Sequence, residues 1–413
     1  MIEFKTFLAE EKNTHMTHIE DQVIYGGVKG ARDAILALRS LRDMLSGSAS
    51  KSVDVTVKWD GAPAVFCGID PTDGKFFVAK KGIFNVNPKV YKTNSDIDAD
   101  IAGPGLNSKM KIALAELSKL GIKGVVQGDI MFTSDDLKKE TIDGEPFVVF
   151  HPNTIVYAVP SASDEAKSIR SASIGVVFHT RYEGKSFETM SAKYGVDSSK
   201  FRKVKSVWAR DAGLRDLSGT VTLTKSETAK VTKALSTAGK IFNRISSSTL
   251  KQIENNEELA RTIETYNNTF VRKQEVIKDT AKHVDGLIKY IGDKYQKEID
   301  KRKTEKGKGA QSKKRDELLQ FFSADNKKNL KLLYDLQAAL VVAKLNIINK
   351  LNKLNKIGTF IKTKNGFEVT GVEGFVAIDR IKGGAVKLVD RMEFSSNNFS
   401  TDVIKGWDTP SRS

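Results

Sequence analysis

The stretch Val53-Asp54-Val55-Thr56-Val57-Lys58-Trp59-Asp60-Gly61 places a lysine at the end of a β-branched run, just before an Asp-Gly pair. The β-branched residues predict a short strand and the Asp-Gly pair predicts a turn, so Lys58 lies at a strand end. A lysine attacks an electrophile only when unprotonated, and its ordinary pKa of about 10.4 keeps it charged at neutral pH. Burial or neighbouring cations can lower that pKa. A plain strand and turn explains the same letters, so the rest of the chain decides.

Five further β-rich segments carry polar residues in a fixed order after Lys58. They are Phe77-Val78-Ala79-Lys80-Lys81-Gly82, Val125-Val126-Gln127-Gly128-Asp129-Ile130-Met131-Phe132, Gly175-Val176-Val177-Phe178-His179-Thr180, Val372-Glu373-Gly374-Phe375-Val376-Ala377-Ile378 and Ala385-Val386-Lys387-Leu388-Val389. In this order the chain resembles the covalent nucleotidyltransferase superfamily of ATP-dependent DNA and RNA ligases and mRNA-capping guanylyltransferases. The Lys58 stretch matches its motif I, and the five further segments match motifs Ia, III, IIIa, IV and V in turn.

The resemblance implies a role for each matching residue. Lys58 would attack the α-phosphate of ATP and carry AMP as a lysyl-AMP intermediate, with Asp60 and Gly61 completing its nucleotide-binding motif. Lys387 would hold the α-phosphate and help to depress the pKa of Lys58. Glu373 would bind Mg²⁺, or Mn²⁺ in its place, because such ions prefer carboxylate and water oxygens.

The other matches are looser. Asp129 stands where the family has glutamate, and would contact ribose or the metal. Lys80 stands where the family has arginine, and Lys81 could take the same role. Phe178 matches the aromatic residue that stacks on adenine, although a core phenylalanine fits equally well. Pro63 replaces the arginine of the DNA-ligase motif, which weakens a DNA-ligase interpretation more than a ligase interpretation.

Composition favours a polyanionic partner. The 413 residues are 39% hydrophobic and carry a net charge of +16, so nucleic acid is the expected partner, with a membrane surface or simple solubility as alternatives. The single cysteine, Cys67, excludes an internal disulfide and is expected in the core. We find no apolar run long enough to span a bilayer and no signal peptide, and expect a soluble cytoplasmic protein. The Lys- and Asn-rich composition resembles that of tailed-phage proteins.

The pattern predicts an α+β fold in three parts. Residues 1–205 alternate β-rich runs with two helices, one from Val28 to Leu45 and one from Met110 to Leu120, ended by Gly121. Residues 206–356 keep helical spacing, and residues 357–413 return to strands. We therefore expect a ligase-type nucleotidyltransferase domain of antiparallel sheets, interrupted by an all-helical insertion.

The end of the chain departs from DNA ligases and capping enzymes. In those proteins an oligonucleotide-binding barrel follows motif V, whereas about twenty-five residues follow Lys387 here. We expect no such barrel in this chain, and the departure points towards RNA ligases, whose additional domains vary. The inserted helices would then grip the nucleic acid.

A basic stretch inside the insertion is predicted to be an exposed loop that binds nucleic acid. Its cationic residues are Lys301, Arg302, Lys303, Lys306, Lys308, Lys313, Lys314 and Arg315. Each phosphate contact made by such a cation releases counterions, so binding would be sensitive to salt. A solvated loop that only aids solubility is the alternative.

Other site types have weaker support. His15 and His18 are the only closely spaced histidines, and they could meet a phosphate end or lie in a solvated loop or helix cap. The chain lacks the Cys/His spacing of a zinc site and the Gly-x-x-x-x-Gly-Lys-Ser/Thr loop that cradles phosphates.

The leading hypothesis is an ATP- and Mg²⁺-dependent ligase that joins 5′-phosphate and 3′-hydroxyl ends, with RNA favoured over DNA. The alternatives are a catalytically silent nucleic-acid-binding or virion protein with the same fold, and an RNA guanylyltransferase.

Overall fold

The computed structural model describes residues 17–46, 54–213, 223–353, 357–378 and 385–407. Its strands are β1 (Asp54–Lys58), β2 (Ala64–Ile69), β3 (Phe76–Ala79), β4 (Val125–Thr133), β5 (Lys138–Ile142), β6 (Glu145–Phe150), β7 (Val156–Pro160), β8 (Ile174–Glu183), β9 (Ser191–Tyr194), β10 (Val207–Asp211), β11 (Gly358–Thr363), β12 (Gly366–Val369), β13 (Gly374–Ile378) and β14 (Ala385–Leu388). Short helical turns, including Ile19–Asp21 and Gln22–Tyr25, accompany eleven longer helices in the described residues.

The longer helices are α1 (Gly27–Leu45), α2 (Asn94–Asp100), α3 (Pro104–Leu117), α4 (Asp164–Ser171), α5 (Lys225–Phe242), α6 (Ser247–Glu254), α7 (Glu257–Arg272), α8 (Thr280–Asp300), α9 (Glu305–Gln320), α10 (Ala324–Asn352) and α11 (Arg391–Phe399). The two helices predicted in the first part of the chain are confirmed as α1 and α3. A short 3₁₀ turn extends α3 to Leu120, and Gly121 ends it with a φ of 65°. That left-handed conformation is typical of glycine after a helix.

Three sheets form the β part of the fold, and their pairing is almost wholly antiparallel. One has the order β10-β8-β4-β2-β3, with β9 also paired to β8; the second has the order β12-β11-β7-β6-β5; the third is β1-β13-β14. Among the named strands of the described residues, only β8 and β10 pair in parallel. The predicted mixed α+β class with antiparallel sheets is therefore confirmed.

The helical part begins later than the sequence indicated. Residues predicted to open the insertion form β10, which extends the first sheet beside β8. The helices begin with α5 at Lys225, where Thr224 accepts a hydrogen bond from Glu227 N in a capping box. Helix α1, predicted within the first domain, shares one continuous core with α5 to α10 and β1, β13 and β14. The insertion and the N-terminal helix therefore form one packed block.

Helix α10 is the longest helix, and it is long and apolar enough to cross a membrane by length and composition. The sequence analysis did not identify it as such a run. Most of its apolar residues are buried inside the helical block, among them Leu333, Leu340 and Ile347. This burial is that of a core helix, which is compatible with a soluble protein.

The prediction of a basic loop over residues 301–315 is wrong for most of its length. Only residues 301–304 connect two helices, and α9 begins at Glu305. Thr304 caps α9 by accepting a hydrogen bond from Gly307 N at 3.1 Å. Lysine and arginine favour helices, and this preference outweighs the two glycines that suggested a loop.

Candidate active site

The three-stranded sheet brings together residues from distant parts of the chain. The central strand β13 pairs with β1, placing Lys58 opposite Gly374, and with β14, placing Val376 opposite Lys387. Glu373 immediately precedes β13. At Gly374, where φ is 157°, a Cβ would lie 2.5 Å from the Val389 side chain, so only glycine allows this approach. Lys58, Glu373 and Lys387 thus lie at one end of a small sheet.

Lys58 and Glu373 form an ion pair at this end of the sheet. The Lys58 Nζ donates a hydrogen bond to Glu373 Oε2, and the side chains are 30% and 9% exposed, respectively. Burial alone would lower the pKa of Lys58, but the charge and hydrogen bond of Glu373 outweigh it and raise that pKa overall. The prediction that the pKa of Lys58 is lowered is therefore wrong for this structure, because Glu373 stabilises the protonated amine.

Asp129 lies on β4 beside the turn that follows Lys58. A Cβ on Gly61 would lie 2.6 Å from the Asp129 Cβ and 2.7 Å from the Met131 Sδ, so this turn packs against β4 only because it carries glycine. The negative charge of Asp129 also acts on Lys58, although less strongly than that of Glu373. Asp129 is thus a second carboxylate close to the candidate nucleophile, and Gly61 acts through packing.

Asp60 has a structural position that the sequence analysis did not foresee. It is 7% exposed, and its carboxylate accepts hydrogen bonds from Thr154 N at 2.7 Å, Ile155 N at 2.9 Å and Asn153 Nδ2 at 2.9 Å. Its own N–H donates to the Tyr157 hydroxyl at 2.7 Å. These bonds fix the turn after Lys58 to the second sheet, and they occupy the oxygens that were predicted to contact a nucleotide.

Phe178 is a core residue in this structure, so the adenine-stacking prediction does not hold for it. Its ring is fully buried and meets Phe201 edge-on, with 5.2 Å between ring centroids. It packs with Val126 and Ile130 on the face of the first sheet that α2 and α3 cover. Asp129 pairs with Val177, one residue earlier, and therefore lies on the opposite face.

His179 is the ring that β8 presents on the same face as Asp129. Its Nε2 lies 3.7 Å from Asp129 Oδ2, and its Nδ1 shares a hydrogen bond with Thr180 Oγ1 at 2.8 Å. The sequence analysis missed this residue. The β4–β8 ladder shifts register between Gln127 and Gly128, which leaves His179 without a partner on β4. Such an irregularity redirects a side chain and is not readable from one sequence.

Lys80 and Lys81 lie just beyond β3 and differ in direction. Lys80 is directed to the helix-covered face, where its Nζ lies 3.4 Å from Asp100 Oδ2 at the end of α2. Lys81 begins a 3₁₀ turn whose Phe84 packs against Tyr182 on the other face. Tyr182 in turn donates to Gln127 Oε1 at 2.8 Å, on the Asp129 face of β4. Lys80 thus has an acidic partner on the helix-covered face, and Lys81 lies exposed at the start of the turn.

Comparison with protein families adds one finding to this geometry. A family model matches residues 13–403, almost the entire chain, and describes a family of unknown function, DUF6267. The chain belongs to the DUF6267 family. No curated protein and no solved structure matches it significantly. A functional proposal for this DUF6267 protein therefore rests on the arrangement of its side chains.

Residues 17–21 form the N-terminal segment of the described chain, and His18 brings this segment to the site. His18 pairs with Lys387 in a parallel bridge. Burial lowers the pKa of His18 to about 3, although the charge of Glu20 acts in the opposite direction. His18 is therefore a neutral, half-buried ring at neutral pH and does not lie in a solvated loop. His15 lies outside the described residues.

The donor set suits a magnesium ion carried on substrate phosphates. Magnesium is commonly bound through one or two carboxylates together with phosphates, and Glu373 and Asp129 are two carboxylates near one lysine. Within the described residues, no group of three or more His, Cys, Asp or Glu side chains could hold a metal by itself. The residues present therefore fit a metal that enters with a nucleotide.

The predicted nucleic-acid residues belong to a different part of the DUF6267 fold. Helix α9 lies along α8, and Arg315 donates to Gln296 Oε1 at 3.3 Å. Several of the cations already have acidic partners, including Lys301 with Glu298 at 2.9 Å and Lys313 with Glu317 at 3.8 Å. The structure thus places this basic surface on the helical block, while Lys58 lies on the three-stranded sheet.

Proposed function

We propose that this DUF6267 protein is an ATP-dependent polynucleotide ligase, with RNA as the favoured substrate, that works through AMP attached to Lys58. The observation that carries the proposal is the convergence of Lys58, Glu373 and Lys387 on one sheet from segments more than 300 residues apart. Such convergence supports a common chemical role, because strand packing alone requires no half-buried lysine–glutamate pair at this place.

In the proposed reaction the Lys58 amine attacks the α-phosphorus of ATP. An N–P bond forms, the bond from the α-phosphorus to the bridging oxygen breaks, and pyrophosphate leaves with the electron pair. The ammonium must first lose its proton to solvent, which would become possible once Glu373, its hydrogen-bond partner, turns to the metal carried by the nucleotide. A 5′-phosphate would then take the AMP, and a 3′-hydroxyl would displace it. Mg²⁺ held by Glu373 and Asp129 would supply positive charge against the phosphates.

Lys387 would stabilise the charge that builds on the α-phosphate. It has no ion-pair partner within 4 Å among the described residues, and its ammonium lies 5.8 Å from the centre of the Phe394 ring. Burial lowers the pKa of Lys387, and the nearby Lys58 lowers it further. A half-buried cation that has no ion-pair partner among the described residues is suited to an incoming anion.

A second candidate is a catalytically silent nucleic-acid-binding protein with the same fold. The observations that favour it are the burial of Phe178 in the core and the turn of Lys80 towards Asp100. Both depart from the pattern of active relatives that the resemblance implies.

The test is incubation of the purified chain with [α-³²P]ATP or [α-³²P]GTP and Mg²⁺, followed by a denaturing gel. We expect label from ATP. Label from GTP alone would support a guanylyltransferase, and label from neither nucleotide would support the silent protein.

A further inference from the structure

The edge of the three-stranded sheet is completed by the N-terminal segment. The Lys387 N–H donates to the Thr17 carbonyl at 3.4 Å, and His18 bridges to Lys387 in parallel register. Lys387 therefore lies between β13 on one side and this segment on the other. The position of the segment determines the position of Lys387.

Two buried ion pairs hold the segment in place. Glu20 Oε1 lies 2.7 Å from the Nζ of Lys344, which is on α10, with both side chains less than 5% exposed. Asp21 Oδ2 lies 2.9 Å from Arg391 Nη1 at the start of α11. Gln337, also on α10, donates to the Glu20 carbonyl at 3.1 Å. Removing one member of such a pair leaves a buried charge uncompensated, so the pairs strongly constrain the local geometry.

Charged groups from every neighbouring element surround Lys387. Lys58 comes from β1, Glu373 from the residue before β13, Arg391 from α11 and Glu20 from the N-terminal segment. Lys344 faces the same cluster from α10, and His18 lies beside Lys387. Burial lowers the pKa of Lys387, Lys58 and Arg391 lower it further, and Glu373 and Glu20 oppose them.

We infer that Glu20 is a positioning residue for Lys387, and that its buried pair with Lys344 makes helix α10 a support of the candidate active site. The catalytic meaning of this support rests on the proposed function, but the series of contacts from α10 through Glu20 and its segment to Lys387 does not. The helical block would then set the geometry of the site in addition to any grip on nucleic acid.

The test measures Lys387 directly. The full chain and its variants are treated with trace acetic anhydride between pH 6 and pH 11, and the acetylation of Lys387 is followed by peptide mass spectrometry. The variants are Glu20→Gln, Lys344→Gln and the control Lys350→Gln. Lys350 lies on the same helix and pairs with Glu227 of α5 at 3.0 Å.

We expect opposite shifts from the two members of the pair. Glu20→Gln removes a negative charge, so the pH midpoint of Lys387 acetylation should fall by about half a pH unit or more. Lys344→Gln leaves Glu20 unbalanced, so the midpoint should rise, and Lys344→Arg should restore it. Lys350→Gln should leave it unchanged. The inference is overturned if Glu20→Gln and Lys344→Gln both shift the midpoint upwards, towards that of an exposed lysine, or if neither of them shifts it.

Two further measurements keep the outcomes distinct. Circular dichroism shows whether each variant is folded. If Glu20→Gln unfolds, Glu20→Asp replaces it, since aspartate keeps the charge but places it farther from Lys387. The midpoint for Glu20→Asp should also shift downwards, but by less. Incorporation of AMP is measured in parallel. A wild-type chain that takes no AMP would overturn the proposed function, while the opposite shifts at Lys387 would still support the inference.

Discussion

At the scale of single residues, Lys58 and Glu373 depend on each other. The carboxylate raises the pKa of Lys58, so the amine is protonated and hydrogen-bonded in this structure. Nucleophilic attack requires the loss of that proton. In the proposed reaction, Mg²⁺ carried by the nucleotide would compete with Lys58 for Glu373 and so free the amine to lose its proton.

Replacing Lys58 by alanine should abolish the covalent attachment of AMP. No other amine lies at the end of β1, and the proposal assigns the nearby Lys387 to the α-phosphate rather than to the attack. The measurement is the label retained on the protein after reaction with [α-³²P]ATP, with the exposed Lys75→Ala as control. Sealing of a pre-adenylated strand should survive in Lys58→Ala. Retention of full label by this variant would remove Lys58 from the mechanism.

Replacing Glu373 by glutamine should have two effects of opposite kind. The pKa of Lys58 should fall, because the charge that raises it is gone while its burial remains, and Lys58 should react with acetic anhydride at lower pH. The rate of AMP attachment should nevertheless fall by about a hundredfold or more, since a metal-binding carboxylate is lost. Asp129→Ala should reduce the rate less. Normal sealing by both variants would mean that these carboxylates have no catalytic part.

At the scale of elements, the turn after β1 is held by close packing against β4. The Asp60 carboxylate binds backbone N–H groups of residues 154 and 155, and Gly61 touches Asp129. Together these contacts connect the three-stranded sheet to the other two sheets. The position of Lys58 relative to Asp129 follows from this turn.

A methyl group at Gly61 should therefore disturb both stability and site geometry. Gly61→Ala would place its Cβ 2.6 Å from the Asp129 Cβ, and we expect a loss of about 1–3 kcal/mol in the free energy of unfolding. The matched control is Gly105→Ala on α3, where no atom lies within 4 Å of the new Cβ. That change should be neutral or stabilising. Urea denaturation checks both, and equal effects would contradict the packing argument.

The basic surface of the α8–α9 connection and α9 should bind nucleic acid mainly through its unpaired cations. Arg302, Lys303, Lys306 and Lys314 have no ion-pair partner among the described residues, whereas Lys301, Lys308 and Lys313 do. Changing the first set to glutamine should weaken RNA binding and flatten its dependence on salt, because fewer counterions are released. The second set, changed alike, should have a smaller effect.

Filter binding at several salt concentrations distinguishes the two sets, and AMP attachment should be unchanged in both. Equal losses from the two sets would show that the local ion pairs do not matter. Unchanged affinity in both would reduce this surface to a solubility feature.

At the scale of the whole molecule, buried neutral histidines link folding to pH. Burial lowers the pKa of His18 to about 3 and those of His151 and His283 to about 4, in each case as the largest cause. The unfolded chain takes up protons on these rings below its ordinary pKa of about 6.5, and the folded chain does not. The stability contributed by these neutral rings should therefore be full above that pH and decrease as the pH falls from about 6.5 towards 4.

The decrease should reach up to about 1.4 kcal/mol per pH unit for each such histidine. Urea unfolding between pH 7.5 and pH 5 measures it. His283→Asn, at a buried position 4.5 Å from the Tyr266 ring between centroids, should give a shallower pH dependence than the wild-type chain whatever its absolute stability. An unchanged slope would show that His283 does not contribute.

The sequence by itself determined the local elements and the order of the polar residues. The apolar spacing of α1 and α3 follows from one helical face meeting the core, and the β-branched run before Lys58 forms β1 as expected. Cys67 is buried in the core, as its small apolar side chain indicated. In each case the signal lies within about twenty consecutive residues, where short-range physics dominates.

Only the tertiary structure decided which of these residues meet, and how. The pairing of β1 with β13 joins Lys58 to Glu373, and the pairing of β4 with β8 directs Phe178 into the core and His179 beside Asp129. A shift of one residue in strand register would exchange the two faces. The protonation of Lys58 and the buried contact of α10 with Glu20 also arise from long-range burial, because the charges involved come from segments distant in sequence.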